Sequence, residues 1–472
     1  MSKKVLNDLI YLYICVPIII FLLGWCKLYI AIPIVALMIF SIVARFKIQD
    51  FKSIKLDKKE FGITVLIAAI YTFISGISGY VFQNWDHIFR NAVLEELVNN
   101  AWPIYHGPSS NFSFDTIFVY YFAHWLPASV FGKLFGLEFG YFMLYVWSLL
   151  GIILVFECIK KYFNGKFYIP LIIFIFFSGL DILEGLLYGE NIVQLIFNSE
   201  HLEWFTGYQM SSFTTQMFWV FNQAIPAWCI TFFILQEEDN RYLGPVMAMG
   251  LLFCTLPAVG LIFLFVYKVF FETLLEDKNR DVKKWIKNTF SWQNIILGIP
   301  LLVVCAMFVT SNLCNQKVAF EINLLSAYIL YLHEILIYYV IVYRYIENKS
   351  LYWLSLMLLL VCPAVKIGEG QDFCMRASIP ALIVMFIFVL QTLSYTYKNR
   401  DKEIDRKVFK ILVAVLIIGA FTPINEINRT FKNTKFSNNR VESIDLLNCS
   451  KSYSENYFGD KNKSLFVKYI AK

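Results

Sequence analysis

Apolar residues along this chain gather in blocks of about 15 to 24, separated by short charged runs. A bilayer core about 30 Å thick takes roughly 20 apolar residues per helix. The pattern therefore predicts an all-α polytopic membrane protein. Thirteen spans can be drawn: 8–27, 28–45, 62–82, 139–158, 167–187, 222–238, 242–256, 257–272, 293–310, 323–346, 350–366, 377–396 and 407–424. Helices are required in them because lipid leaves open backbone groups unsatisfied. The start, Met-Ser-Lys-Lys followed by apolar residues with no small-residue cleavage site, reads as an uncleaved first span.

One further block, 115–135, is apolar enough to span, and the basic residues decide against it. If it crossed, Lys160, Lys161 and Lys166 would fall outside and every later basic loop would be inverted. It is predicted instead to be an aromatic-rich helix lying in the outer interface. With the N-terminus inside, the cytoplasmic segments and their flanks carry 25 of the 41 Lys and Arg, and the outer loops six. The positive-inside rule favours this sidedness for a multi-pass plasma-membrane protein. Three regions follow: a transmembrane hairpin with a basic cytoplasmic loop (1–61), a membrane domain (62–424) with outer loops 83–138 and 188–221, and a polar outer tail (425–472). Lys and Asn make the tail read as loosely structured.

Composition narrows the class further. Only 16% of the 472 residues are charged, against roughly 25% in soluble domains. Mean hydropathy is +0.59. Disordered, collagen-like and nucleic-acid-binding classes are excluded. Most of the ten cysteines sit in apolar blocks as small hydrophobes, although Cys314, Cys374 and Cys449 fall in outer loops, where pairing stays open. There is no Cys-x-x-Cys, Walker A, Gly-x-Gly-x-x-Gly or His-Glu-x-x-His motif, so redox, ATP-driven, dinucleotide and zinc-protease chemistry are unsupported.

The remaining polar residues collect in three outer segments. The first begins Gln83-Asn84-Trp85-Asp86-His87 and continues through Arg90, Asn91, Glu95 and Glu96. The second holds Glu190, Asn191, Glu200, His201 and Glu203 and leads into Asn222-Gln223. The third runs from Lys366 through Gly368-Glu-Gly370 and Asp372 to Arg376. Ionisable groups at a membrane boundary are costly unless paired or functional. Asp86, directly after an apolar block, has two readings. It caps a helix beginning near His87, or it is a partly desolvated general base accepting a proton from a hydroxyl.

A span ending in an outer Asp, followed by a long outer loop with interfacial aromatic segments, resembles the GT-C superfamily of membrane glycosyltransferases. The run Tyr120-Tyr121-Phe-Ala-His-Trp125-Leu, followed by Gly132-Lys-Leu-Phe-Gly136, is similar to the juxtamembrane part of that superfamily's first loop. Two spans precede the Asp-bearing one, an N-terminal hairpin beyond the minimal pattern. The resemblance implies a polyprenyl-phosphate-linked sugar as donor, chemistry on the non-cytoplasmic face, and activation of the acceptor hydroxyl by Asp86. The acceptor would be a cell-envelope glycan or lipid.

The third segment fits such a donor. Arg376 can hold two phosphate oxygens with its planar fork, Lys366 can add a point charge, and Asp372, one turn away, can orient Arg376. The competing reading is a salt-bridged turn. His87 and Arg90 would support Asp86, Glu96 would assist at an anomeric centre with oxocarbenium character, and Gln223 would line an outer cavity or make an interhelical hydrogen bond. His201 with Glu200 and Glu203 reads as an acceptor site or as solvated loop charge. His333-Glu334, near the middle of span 323–346, reads as a proton relay or a satisfied buried pair. No cofactor is expected. A divalent metal near the outer carboxylates is compatible with the chemistry, though a phosphate facing Arg and Lys does not demand one. Expected partners are the lipid-linked sugar, its acceptor and membrane lipids, not nucleic acid. Two other functions compete: a transporter or flippase for a lipid-linked saccharide, and a membrane acyltransferase with His333 as base.

Overall fold

The computed structural model describes residues 2–47, 57–187, 189–197, 201–204, 208–275, 281–314, 318–320, 323–367 and 372–472. The fold is helical, with two small sheets. In chain order come α1 (Lys3–Trp25), α2 (Leu28–Lys47), α3 (Lys58–Ile74), α4 (His87–Asn99), strands β1 (Tyr105–His106) and β2 (Thr116–Phe118), α5 (Leu126–Phe135), α6 (Leu137–Ile159), α7 (Tyr168–Ile175), α8 (Asp181–Leu187) and α9 (Ile192–Phe197). Then follow α10 (Phe213–Gln236), α11 (Leu243–Gly250), α12 (Thr255–Val266), α13 (Val282–Thr289), α14 (Ile299–Val309), β3 (Val318–Phe320), α15 (Leu324–Leu330), α16 (Ile337–Val342) and α17 (Lys349–Val361). The last are β4 (Val365–Ile367), α18 (Asp372–Ala377), α19 (Ile379–Lys398), α20 (Glu403–Gly419), α21 (Phe421–Asn433), α22 (Lys451–Ser454), β5 (Phe458–Asp460) and α23 (Leu465–Tyr469).

Nine helices among the described residues are long and apolar enough to cross a membrane. α10 and α19 are buried almost all round and form the centre of the bundle, whereas α2 and the α20–α21 rod keep most of their surface outside. The two ends of the bundle are marked by α1. At its start Asp8 pairs with Arg45 of α2 at 2.7 Å, and Arg45 reaches Glu237, just past α10, at 2.8 Å. At its finish Trp25 stacks on Trp102 with ring centres 4.7 Å apart, and its carbonyl accepts the Lys472 N–H at 3.0 Å.

Four predicted spans come out shorter than drawn. Block 62–82 becomes α3, 17 residues long, stopped where Gly76, Ser78 and Gly79 take positive φ. Block 167–187 breaks into α7 and α8, of eight and seven residues. Block 242–256 yields the eight-residue α11, and block 350–366 becomes the short apolar helix Lys349–Ala364.

Residues 115–135 are not one interfacial helix. They form a strand, a turn and the ten-residue α5. A helix of that length rises about 15 Å, too little to cross a bilayer. The C-terminal region is not loose either. Residues 425–433 complete α21, and β5 adds to β2 to give an antiparallel sheet of order β1-β2-β5. Gly459 sits opposite Ile117, and a Cβ on it would meet the Ser311 carbonyl oxygen at 2.1 Å. Backbone pairing is what a polar composition could not announce. Arg440 meets Glu138 at 2.5 Å and lies 3.7 Å above the Tyr141 ring, and Asn111 Nδ2 donates to the carbonyls of Leu447 and Cys449. None of the ten cysteines forms a disulfide.

Candidate functional site

The site is organised by a kink in the central helix. Val220 of α10 departs from helical geometry (φ −134°, ψ 36°). The carbonyls next to the kink are captured by the segment leading into α4. Phe218 O accepts from Asn84 Nδ2 at 2.9 Å and from His87 Nε2 at 3.2 Å, and Trp219 O accepts from Arg90 Nη2 at 3.5 Å. Backbone groups freed inside an apolar bundle need such partners. A carbonyl can only accept, so His87 carries its proton on Nε2, and Nδ1 is left to accept from Gln83 Nε2 at 3.3 Å. Burial, with the neighbouring Arg90 charge, lowers the His87 pKa to about 3 and keeps the ring neutral. His87 is thus a structural clamp.

Asp86 stands at the N-cap position of α4 but makes no side-chain capping bond. Its carboxylate instead pairs with Arg90 at 3.0 Å, one turn on, and remains 18% exposed. The capping reading of Asp86 therefore does not describe its side chain. Arg90 also donates to the Tyr120 hydroxyl at 3.0 Å, and the Tyr457 ring lies 4.6 Å from that of Tyr120. Arg376, in α18, pairs with Asp372 as the one-turn spacing predicts. Both Arg376 and Asp372 lie close enough to act electrostatically on Asp86, and Tyr121 feels both Arg376 and Arg90. Burial is the largest influence on Asp86 and raises its pKa against the opposing pull of Arg90 and Arg376. Both buried guanidiniums keep an Nε–H with no hydrogen-bond partner. The first and third predicted segments thus bring Asp86, Arg90, Asp372 and Arg376 within electrostatic reach of one another, beside Tyr120 and Tyr121.

The other predicted residues are placed differently. Lys366 is half-buried on β4, opposite Ala319 of β3. Glu96 sits at the far end of α4, where it accepts from Asn100 Nδ2 at 2.7 Å and pairs with His106 at 3.3 Å. Ten residues of helix separate it from Asp86 by about 15 Å. Gln223 is fully buried just past the kink; neither its side-chain oxygen nor its nitrogen has a partner, and the same holds for Asn222. Gly368–Gly370 and Glu200 lie outside the described residues.

In the second segment, His201 and Glu203 are not solvated loop charge. His201 and Glu203 are buried, and His201 Nδ1 lies 2.6 Å from Glu426 of α21. Glu426 also accepts from Trp219 Nε1 at 3.1 Å and from Arg429 at 3.2 Å. Trp219 therefore joins this cluster to the Asp86 site, its carbonyl serving Arg90 and its indole serving Glu426. Glu426, Arg429 and Tyr457 were hidden from sequence reasoning because they fall in the stretch read as a tail. The spacing of Glu426 and Arg429, one helical turn, was the available signal. His333 and Glu334 do not pair with each other. Glu334 is buried against Gly179 at the α7–α8 break and close enough to Asp181 to act on it electrostatically, while His333 is half-buried with Nδ1 unpartnered.

Among the described residues no group of three or more His, Cys, Asp or Glu is arranged to hold a metal ion. No family model matches the chain, and neither does any curated protein or solved structure.

Proposed function

We propose that this chain is a GT-C-like glycosyltransferase that moves a sugar from a polyprenyl-phosphate donor to a cell-envelope glycan or lipid on the non-cytoplasmic face. The observation that carries the reading is the meeting of Asp86 with Arg90 and Arg376, which come from segments far apart in sequence. A desolvated carboxylate with a raised pKa is suited to take a proton. Two buried guanidiniums with unpartnered Nε–H groups are suited to hold phosphate oxygens.

In this mechanism the acceptor hydroxyl gives its proton to Asp86, and its oxygen forms the new bond to the anomeric carbon. The anomeric C–O bond to phosphate breaks, and its electron pair leaves on the phosphate oxygen facing Arg376. Attack opposite to the departing group inverts the anomeric centre. Arg90 orients Asp86, and Tyr120, Tyr121 and Tyr457 wall the sugar site. Lys366 would add a charge for the phosphate from the adjoining strand. Nothing in the scheme routes through a metal.

The test uses purified protein in proteoliposomes with radiolabelled polyprenyl-phosphate-linked hexoses and pentoses. Asp86→Asn should lower transfer by about 10²-fold or more while leaving the melting profile near wild type. Normal transfer by a folded Asp86→Asn protein would overturn the assignment.

A lipid-linked saccharide transporter is the second reading, favoured by the broken α7–α8 pair beside the buried Asp181–Glu334 contact. In that case labelled donor would cross the bilayer without any transfer of its sugar.

A further inference from the structure

Away from the Asp86 site, a groove of about 800 Å³ runs between α7, α19 and α20. Its walls are apolar, with Ile172, Phe409 and Val413 among them, and it reaches from the basic loops at one end to Phe176 and Ala420. The loop 163–166 that forms its mouth is tied to α19 by Asn164 N–H donating to Ser394 Oγ at 3.0 Å.

The mouth differs from the walls. Lys166 lines it, with Nζ 6.0 Å from the Tyr168 ring. Arg400, exposed and just outside the lining, lies 4.9 Å from the ring of Tyr397, a lining residue that packs on Phe409 at 5.7 Å. Of the acidic residues nearby, Glu403 pairs with Lys407 at 2.6 Å and Asp405 accepts from the Tyr345 hydroxyl at 2.8 Å, while Asp401, next to Arg400, is exposed. The groove thus has an apolar trough for hydrocarbon, two tyrosines at the depth where aromatic rings favour the interface, and two cations where a headgroup phosphate would lie.

We propose that this groove is a binding site for an anionic phospholipid, with an acyl chain along α7 and α20 and the phosphate between Lys166 and Arg400. The occupant is a phospholipid of the leaflet next to the basic loops. A zwitterionic lipid would fill the same trough but present an ammonium group to the two cations. The site is independent of the proposed transferase chemistry.

Native mass spectrometry and thermal melting of the full chain in detergent test this with added phosphatidylglycerol, phosphatidylcholine, polyprenyl phosphate or glycerol phosphate. Phosphatidylglycerol should be retained at least tenfold better than phosphatidylcholine and should raise the melting temperature. Lys166→Gln/Arg400→Gln should erase that preference while the melting temperature in phosphatidylcholine stays unchanged. Val413→Trp, which fills the trough, should reduce retention of both phospholipids.

Equal retention of the two phospholipids, or a preference that survives in the double variant, would overturn the proposal. So would stabilisation by glycerol phosphate alone, which needs no trough, or tighter retention of polyprenyl phosphate than of phosphatidylglycerol. If the double variant unfolds, Val413→Trp decides: unchanged retention of phosphatidylglycerol would refute the site.

Discussion

At the residue scale, the protein places few charges, and the buried ones of the outer segments have partners that fix their state. Asp86 keeps a raised pKa because burial outweighs two nearby guanidiniums. If it is the base, transfer requires the ionised carboxylate, so kcat/KM should fall as pH drops through that raised pKa. The acid limb should sit above the usual carboxylate range near 4. A pH–rate profile checks this, and a limb unchanged in the residual activity of Asp86→Asn would assign it to another group.

His201 shows the opposite balance. Burial pushes its pKa down, but hydrogen bonds to Glu203 and Glu426 overcome that and raise it to about 10. Arg429 and the Trp219 indole also meet Glu426, and Gln209 Nε2 lies 2.9 Å from His201 Nε2. A raised histidine stabilises the fold fully below its unfolded pKa near 6.5, and that contribution is lost as pH rises through about 10. Denaturation between pH 6.5 and 10 should show a loss on the order of a few kcal/mol that flattens in His201→Gln. Asp86, Arg90, Asp372 and Arg376 were legible in the sequence because charge is scarce in an apolar chain. Glu426 was not, since its role depends on a partner lying far upstream.

At the element scale, interruptions of regular helices do the positioning. The Val220 kink presents two carbonyls to Asn84, His87 and Arg90, and no apolar pattern marks it. The break before α8 brings Gly179 against Glu334, whose carboxylate oxygen lies 1.9 Å from where a Cβ would stand. Gly260 of α12 plays a comparable part for Arg376. A Cβ there would come within 2.3 Å of the Ala377 carbonyl oxygen, so α18 must move to admit it. Gly260→Ala should cost about 1–3 kcal/mol in stability and lower transfer through displacement of Arg376. Gly62→Ala is the control, as its Cβ meets nothing within 4 Å. Melting curves and transfer rates of the two variants make the comparison. Hydropathy located the long helices well, and it overdrew four blocks because glycine turns and broken helices are as apolar as the spans around them.

At the scale of the whole molecule, α1 separates two differently built ends. One holds Arg45 with Asp8 and Glu237; the other joins Trp25 to the C-terminal segment and lies with the first large loop. If the basic loops face the cytoplasm, Lys3→Cys and Lys472→Cys should differ in reactivity toward a membrane-impermeant maleimide. The Lys472→Cys thiol should label from outside intact cells, and the Lys3→Cys thiol should label after permeabilisation. Labelling of both from outside would invert or abolish the sidedness on which the functional reading stands.

Strand β5 and Tyr457 follow, in chain order, the nine helices among the described residues that are long and apolar enough to cross a membrane, yet they complete the sheet and the tyrosine cluster beside Arg90. Synthesis delivers the chain from its N-terminus. Asp86 and Arg90 are therefore made early and wait, without Tyr457 beside them, until the last segment has paired with β2. A chain stalled before that segment is made would hold Asp86 and Arg90 without the strand and the tyrosine that complete their surroundings.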